Sequence, residues 1–474
     1  MKNESSPIGI IGAGPAGLTA AYELAKRGYP VDIYEADSEV GGMSKTISLW
    51  GQRVDLGPHR FFSKDPRINR LWLEVVKGDF RTVNRLTRVH YKGRFFHYPL
   101  KPWETFRKLG IRDGTRSILS YLQQQVRPTK EDDSFEDWVV NRFGYVLYEK
   151  FFKTYSEKLW GISGKELDKD FAAQRIKKLT FFQAVWQGLW GKPSNHNSLV
   201  ETFLYPIEGT GIVYRRMADF VRANNGRVYL NTPVNRLHTG SENGIGIEAE
   251  GHPIRHYRQI ISTMPLTKLV EQLPLLNPTA IEAAKKLSFR NTLLVYLQVN
   301  NKDLFPDNWI YVHDERLRVG RITNFSNWAP ELCCGKEETI LCLEYWTDPS
   351  GELWKMPDTD LIELAKKEIV QAGLANVEDV QAGKVIKVPR CYPVYRMGYK
   401  KQVDIIAKAL EEYPNLLAIG RYGSFKYNNQ DHSMLMGILS SENISGKRRH
   451  NLWQVNTDYG VYQEHHQTHE ISEN

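Results

Sequence analysis

Cysteine is scarce in this sequence. The four among 474 residues, Cys333, Cys334, Cys342 and Cys391, form no CxxC pair and no metal-ligand spacing. A disulfide framework or zinc site is therefore not expected, and the four read as reduced bystander thiols. Long apolar runs are missing too. Nothing approaches the roughly 18 consecutive apolar residues that cross a bilayer, and the opening MKNESSPIGIIGAGPAG leads straight into a glycine turn rather than through a signal-peptide layout. The expectation is a cytoplasmic location with no integral membrane segment. There is no internal repeat. Neither sign of charge dominates, with 63 Lys and Arg against 55 Asp and Glu, a net +8.

Much of that excess sits in residues 80–108, FRTVNRLTRVHYKGRFFHYPLKPWETFRK, where cations alternate with aromatics around a Lys-Gly turn that predicts a β-hairpin. No nucleic-acid-binding module accompanies the run, so nucleic acid is not expected as a partner. Solvated surface charge, an anionic small substrate and a lipid headgroup remain, the last allowing peripheral contact with a membrane. At 41% hydrophobic, the chain is long enough for two domains or one elaborated domain.

What is present begins at the N-terminus. PIGIIGAGPAGLTAAYELAKRGYPVDIYEAD reads as strand, glycine turn, small-residue helix and second strand closing on Glu35. Gly12 permits the tight turn, Gly14 lets backbone amides approach a pyrophosphate, and Ala16-Gly17 let helix pack closely on strand. Glu35 is placed for a ribose hydroxyl. These features in register predict dinucleotide binding. ADSEVGGMSKT follows, with Gly41, Gly42, Met43 and Ser44 offering backbone beside the same ligand.

This Glu-then-Gly-Gly layout resembles the two-part fingerprint of FAD-binding proteins of the amine-oxidase and glutathione-reductase superfamily. The resemblance implies an α/β fold, a Rossmann-type FAD-binding domain interleaved with an α+β substrate domain, and non-covalent FAD. It places Val234 at the adenine and the stretch from Gly420 to Ser433 at the flavin. In that stretch Arg421 stands where the superfamily usually has an acidic residue. Asp431-His432-Ser433 are expected to open a helix aimed at the flavin pyrimidine edge, with Asp431 as its N-cap. The expected cofactor segments are 1–70, 200–265 and 385–445, and the expected substrate domain 71–199 and 266–384. The first insertion should be helical from SFEDWVVNRFGYVLYEKFFKTYSEKLWG onward, and the second should start with an alternating strand in TLLVYLQVN. Residues 446–474 read as a polar, flexible tail, whose His465, His466 and His469 are not expected to bind metal.

YEKFFKTYSEKLWG, WIYVHDERLRVGRITNFSNWAP, CYPVYRMGY and GRYGSFKYNNQDHS resemble segments of UDP-galactopyranose mutases. The resemblance implies that Arg175 and Arg321 grip a diphosphate, that Tyr311, Tyr392, Tyr427 and Tyr155 contact the substrate, and that Trp160 belongs to a lid. Arg421 would sit near flavin and substrate, and His59 beside the isoalloxazine. Guanidinium forks match phosphate oxygens, and phenols add donors without charge. Pro58 stands where the mutases have a second glycine, so that loop should be stiffer. The activity implied is ring isomerisation of a nucleotide-diphosphate sugar by reduced FAD, primed by an external reductant, in a site poor in catalytic carboxylates. The alternative is an FAD-dependent oxidoreductase of the protoporphyrinogen oxidase or carotenoid desaturase type, which would leave the Arg and Tyr set without a role.

Overall fold

The computed structural model describes residues 7–129, 132–175, 202–241, 244–274 and 276–455. The apolar runs Ile8–Ile11 and Val31–Tyr34, with helix Pro15–Lys26 between them, form neighbouring parallel strands. Strands Arg227–Tyr229, Ile260–Ser262 and Leu416–Ala418, distant in sequence, complete a five-stranded parallel sheet. Ile8–Ile11, Val31–Tyr34 and Ile260–Ser262 are buried along their whole length, as continuous apolar strands in a sheet covered on both faces must be. Helix Pro15–Lys26 and the C-terminal helix Gln430–Ile444 close on one side at short range. A Cβ on Gly437 would stand 2.7 Å from the Ala16 carbonyl oxygen.

A second, seven-stranded sheet runs in the order Val380–Pro393, Phe289–Val299, Thr339–Thr347, Arg321–Asn324, Trp309–Val312, Thr87–Tyr91, Arg94–His97. All its pairings are antiparallel except Trp309–Val312 with Thr87–Tyr91. The hairpin expected in residues 80–108 is the outer pair, turning at Lys92 and Gly93, both at positive φ. The helices expected after Ser134 are Phe135–Phe143, Tyr145–Tyr148 and Thr154–Trp160, the last two joined by a π turn at Glu149–Lys153. The α/β architecture, a Rossmann-type parallel sheet interleaved with an α+β part, is present.

Three expectations differ from the structure. The alternation expected in strand Phe289–Val299 does not divide a buried face from an exposed one. Leu293, Val295 and Leu297 pack with Leu361, Ala365 and Ile369 on one face, and Leu294 and Tyr296 with Val54 and Tyr205 on the other, so both faces are covered. The limit near 385 falls inside strand Val380–Pro393, whose pairing with Phe289–Val299 keeps it in the seven-stranded sheet. The first residues of the presumed tail are packed. Leu452 is buried, and Lys426 Nζ donates to the carbonyls of Trp453 and Val455. His465, His466 and His469 lie outside the described residues. No described helix is long and apolar enough to cross a membrane.

Candidate functional site

A cavity of about 650 Å³ lies between the two sheets. One wall is backbone. The turn at Gly12 (φ +95) returns the chain so tightly that a Cβ on Gly17 would stand 2.0 Å from the Gly12 carbonyl oxygen. Gly41 N–H donates to Ala13 O at 2.8 Å, which ties the second glycine pair to the first turn. Gly42, at φ +54, approaches so closely that its Cβ would be 3.2 Å from Gly14 Cα. At Gly14 itself a Cβ would meet nothing nearer than 3.9 Å and the residue lines the cavity, so backbone is open to a ligand there. Helix Pro15–Lys26 starts beside it, with Pro15 in its first turn and no side-chain cap on its amides, the arrangement that receives phosphate.

Glu35 also lines the cavity. Its Oε2 accepts from Ala13 N at 2.6 Å and its Oε1 from Asp37 N at 2.9 Å, which leaves a lone pair on each oxygen for a hydroxyl. Burial raises its pKa against those two amides. Open backbone at Gly14, amides at a helix start and a held carboxylate suit a ribose-pyrophosphate, as FAD carries. Met43, Ser44, Val234, Gly420, Asp431 and Ser433 also line the cavity. The carbonyl of Val234 accepts from Gln272 Nε2.

The opposite wall is made of side chains set by strand register. Tyr311 lies opposite Arg321, Arg321 opposite Glu344, and Glu344 opposite Leu294 on four successive strands. Cross-strand partners share a face, and all four line the cavity. Arg321 Nε and Nη2 reach Glu344 Oε1 and Oε2 at 2.5 and 2.6 Å, a two-pronged pair in which Glu344 is 2% exposed. Burial alone would lower the Arg321 pKa, but Glu344 raises it well above its usual value. Burial keeps the phenols of Tyr155 and Tyr392 protonated.

Between the walls sits Arg421. Its guanidinium carbon lies 4.4 Å from the Tyr427 ring centre and 4.7 Å from that of Tyr392, and the two rings stack at 5.5 Å. Nε donates to Cys391 O and Nη1 to Asn428 O. No carboxylate among the described residues comes within 4.0 Å. Arg321 thus carries its own counter-ion, while the partners of Arg421 among the described residues are carbonyls and ring faces, weaker partners for a cation.

His59 borders the same space. Its Nε2 is 2.9 Å from Leu56 O, and its own carbonyl accepts from Thr210 Oγ1 and Gln430 Nε2, each at 3.2 Å. Burial pulls its pKa down to about 4, with Arg321 and Arg421 acting in the same direction. The imidazole is therefore neutral near pH 7. Beneath the loop, Asp55 accepts from Thr46 Oγ1, Tyr205 OH and Thr210 N, and burial still lifts its pKa to about 7.

Some candidates lie elsewhere. Trp160 is 1% exposed and does not line the cavity. It packs edge-on against Tyr427 and Tyr392 from behind, because its helix buries that face in the core. His432 also stands back from the cavity, next to Asp431. Asp431 is not the N-cap. Helix Gln430–Ile444 starts one residue before Asp431, Asn429 is its N-cap, and Asp431 lies in its first turn. Arg175 ends helix Lys169–Arg175, and its side chain lies outside the described residues.

Glu344 is the residue that sequence reasoning missed, and it corrects the expectation of a carboxylate-poor site. Its signal was a lone charge within the fully buried strand TILCLEYWT. His313, stacked on Tyr155 at 4.9 Å, and Arg60 also line the cavity unforeseen. Cys391, expected as a bystander, borders it too.

The flavin containing amine oxidoreductases match residues 15–424. The chain belongs to that family. It is 29% identical over 175 residues to a "probable UDP-galactopyranose mutase" of Klebsiella pneumoniae, and 39% identical over 84 residues to a 1-hydroxycarotenoid 3,4-desaturase of Flavobacterium sp.. Those matches cover 35% and 17% of this chain, and the chain spans only 44% and 17% of the two relatives. The crystal structure of a reduced UDP-galactopyranose mutase superposes with a TM-score of 0.84 at 21% identity, covering 96% of this chain and 98% of that one. A protein provisionally named protoporphyrinogen oxidase, from Exiguobacterium, superposes with a TM-score of 0.73 at 16% identity, covering 94% and 100%. These likenesses show the fold. Family membership makes this a flavin-oxidoreductase-superfamily enzyme and implies FAD.

Proposed function

We propose that the protein binds FAD non-covalently and, with the flavin reduced, isomerises the sugar ring of a nucleotide-diphosphate sugar. The observation that carries this reading is Arg421. It is a cation at the cavity, set beside a stacked pair of tyrosine rings and with no carboxylate among the described residues within 4.0 Å. A diphosphate is an anion that such a site lacks, and the leaving diphosphate of a glycosyl transfer needs charge neutralisation in place. Tyr311, Tyr392 and Tyr427 add phenol hydroxyls to the same cavity. Arg321 helps through the donors Glu344 leaves, and Arg175 is assigned to the same anion.

When bound in its reduced form, FAD would supply the nucleophile for ring isomerisation. The chain orients the sugar, holds the diphosphate and keeps His59 neutral beside the ring system, while Trp160 stiffens the tyrosine pair from behind. The glycine backbone, Glu35 and Val234 would hold the adenine half of FAD, and Gly420, Asp431 and Ser433 would face the flavin end, with His432 behind them.

The Arg321–Glu344 pair favours a second reading. One of the two expected diphosphate arginines is already neutralised, as an oxidoreductase acting on a less charged substrate would tolerate. Chemically reduced protein incubated with a panel of nucleotide sugars decides between them. The isomerase converts a sugar to its isomer, measured by chromatography, with no net use of reductant. Activity from oxidised flavin with one equivalent of acceptor consumed per product replaces that reading with the second.

A further inference from the structure

Helix Ile111–Val126 has its polarity reversed. The residues it turns into the protein are Gly114, Ser117 and Tyr121. Those it turns to water are Ile111, Ile118, Leu119, Leu122 and Val126, from 37% to 79% exposed. At the helical repeat these five fall within an arc of about 100°, and Arg112 and Arg116 continue directly along one edge of it. The inner face cannot take larger side chains. A Cβ on Gly114 would stand 2.4 Å from the Phe106 ring of the neighbouring helix Pro102–Leu109. That helix adds Trp103, 67% exposed, to the same part of the surface. An apolar stripe of this length on the water side of a folded helix calls for a cover.

Charge selects the cover. Residues 92–127 hold eight Lys and Arg against two acids, and both acids are engaged, Glu104 by Lys108 and His97, Asp113 by Lys150 at 3.0 Å. Arg112 and Arg116 are exposed along the edge of the stripe, and Lys101 and Arg107 are exposed on the neighbouring segment 101–109. A second copy packed on the same face would set two such cationic rims against each other, which like-charge repulsion opposes. An anionic lipid surface meets both halves of the pattern, since its acyl boundary takes the apolar stripe and its headgroups take the rim. We propose that helices Pro102–Leu109 and Ile111–Val126 dock the protein peripherally on an anionic membrane surface. On the opposite side of the helix from the stripe, the Asp113–Lys150 ion pair ties it to the π turn whose Phe151 and Phe152 line the cavity. The docking surface is therefore one layer from the site, and the inference stands independently of the reaction.

The test is co-sedimentation of the full-length flavoprotein with phosphatidylcholine vesicles, with and without phosphatidylglycerol. Wild type should pellet with the anionic vesicles and stay in solution with the neutral ones. Leu119→Glu/Leu122→Glu should weaken that partitioning by at least roughly tenfold, and Arg112→Glu/Arg116→Glu by a similar factor. All four positions are exposed, and unchanged far-ultraviolet circular dichroism shows that the fold survives in the variants. Wild type that fails to pellet, double variants that pellet like wild type, or equal binding to neutral vesicles overturns the proposal. A wild-type dimer that Leu122→Glu splits, without vesicle binding, overturns it too and assigns the face to a second copy.

Discussion

The two walls of the cavity are built by opposite means. The wall around Gly12, Gly14, Gly41 and Gly42 is main chain, and its function depends on side chains being absent. The wall of Tyr311, Arg321 and Glu344 is side chain, and its function depends on three strands holding register. At Gly12 and Gly42 the first wall has no room for a Cβ, and at Gly14 a side chain would occupy the open space where a ligand meets backbone. The second tolerates changes in bulk but not in charge, because its members neutralise one another in a partly dry space.

The sharpest way to break this comparison is on the backbone side. Gly14→Val places two methyl groups where the cavity begins, and we expect the protein to purify without flavin absorbance. Stoichiometric flavin in that variant would mean that the ligand does not approach Gly14.

On the side-chain wall, the largest effect is expected at Arg421. Arg421→Ala should weaken binding of a nucleoside diphosphate by about 2–4 kcal/mol, measured by calorimetry on the flavoprotein. Lysine should restore only part, since it lacks the planar group that both tyrosine rings contact. Unchanged affinity would remove the main support for the proposed substrate class.

Glu344→Gln should act in the opposite direction. It frees the charge of Arg321, and diphosphate affinity should rise by on the order of tenfold. A fall would show that Glu344 orients Arg321 rather than competing for it.

The smallest effect is a pH dependence. His59 falls from its usual 6.5 to about 4, so the native state refuses a proton that the unfolded chain takes up, and stability drops as pH falls from 6.5 toward 4. Asp55 rises from 3.8 to about 7, so its contribution runs the other way, full below 3.8 and lost as pH rises through 7. Between pH 4 and 6.5 the two oppose each other. Asp55→Asn leaves only the first, and the melting temperature should then fall more steeply with acid than in wild type. Parallel curves would place the acid sensitivity outside this pair.

How much of this was legible differs by wall. The turn at Gly12, the helix after Pro15 and the carboxylate of Glu35 follow from one contiguous stretch, because local sterics dictate them. Arg321, Tyr311, Tyr392, Tyr427 and Arg421 were singled out by resemblance of segments, and the structure gathers them at one cavity. Trp160 stands behind the cavity because its segment carries cavity residues on one side and core residues on the other, and a segment match does not say which way a helix faces. Glu344 was passed over because its importance lies in standing opposite Arg321, a relation between strands.

By itself, the sequence determined the dinucleotide turn and the hairpin at Lys92-Gly93, which rest on short-range sterics and turn residues, while the interleaved α/β plan is what the resemblance of its segments to the flavoprotein superfamily implied. Only the tertiary structure decided that Arg321 is neutralised while Arg421 is not, and that helix Ile111–Val126 turns its apolar face outward. Charge compensation depends on distances between residues far apart in the chain, and the outward face depends on which side of a helix its neighbours leave uncovered.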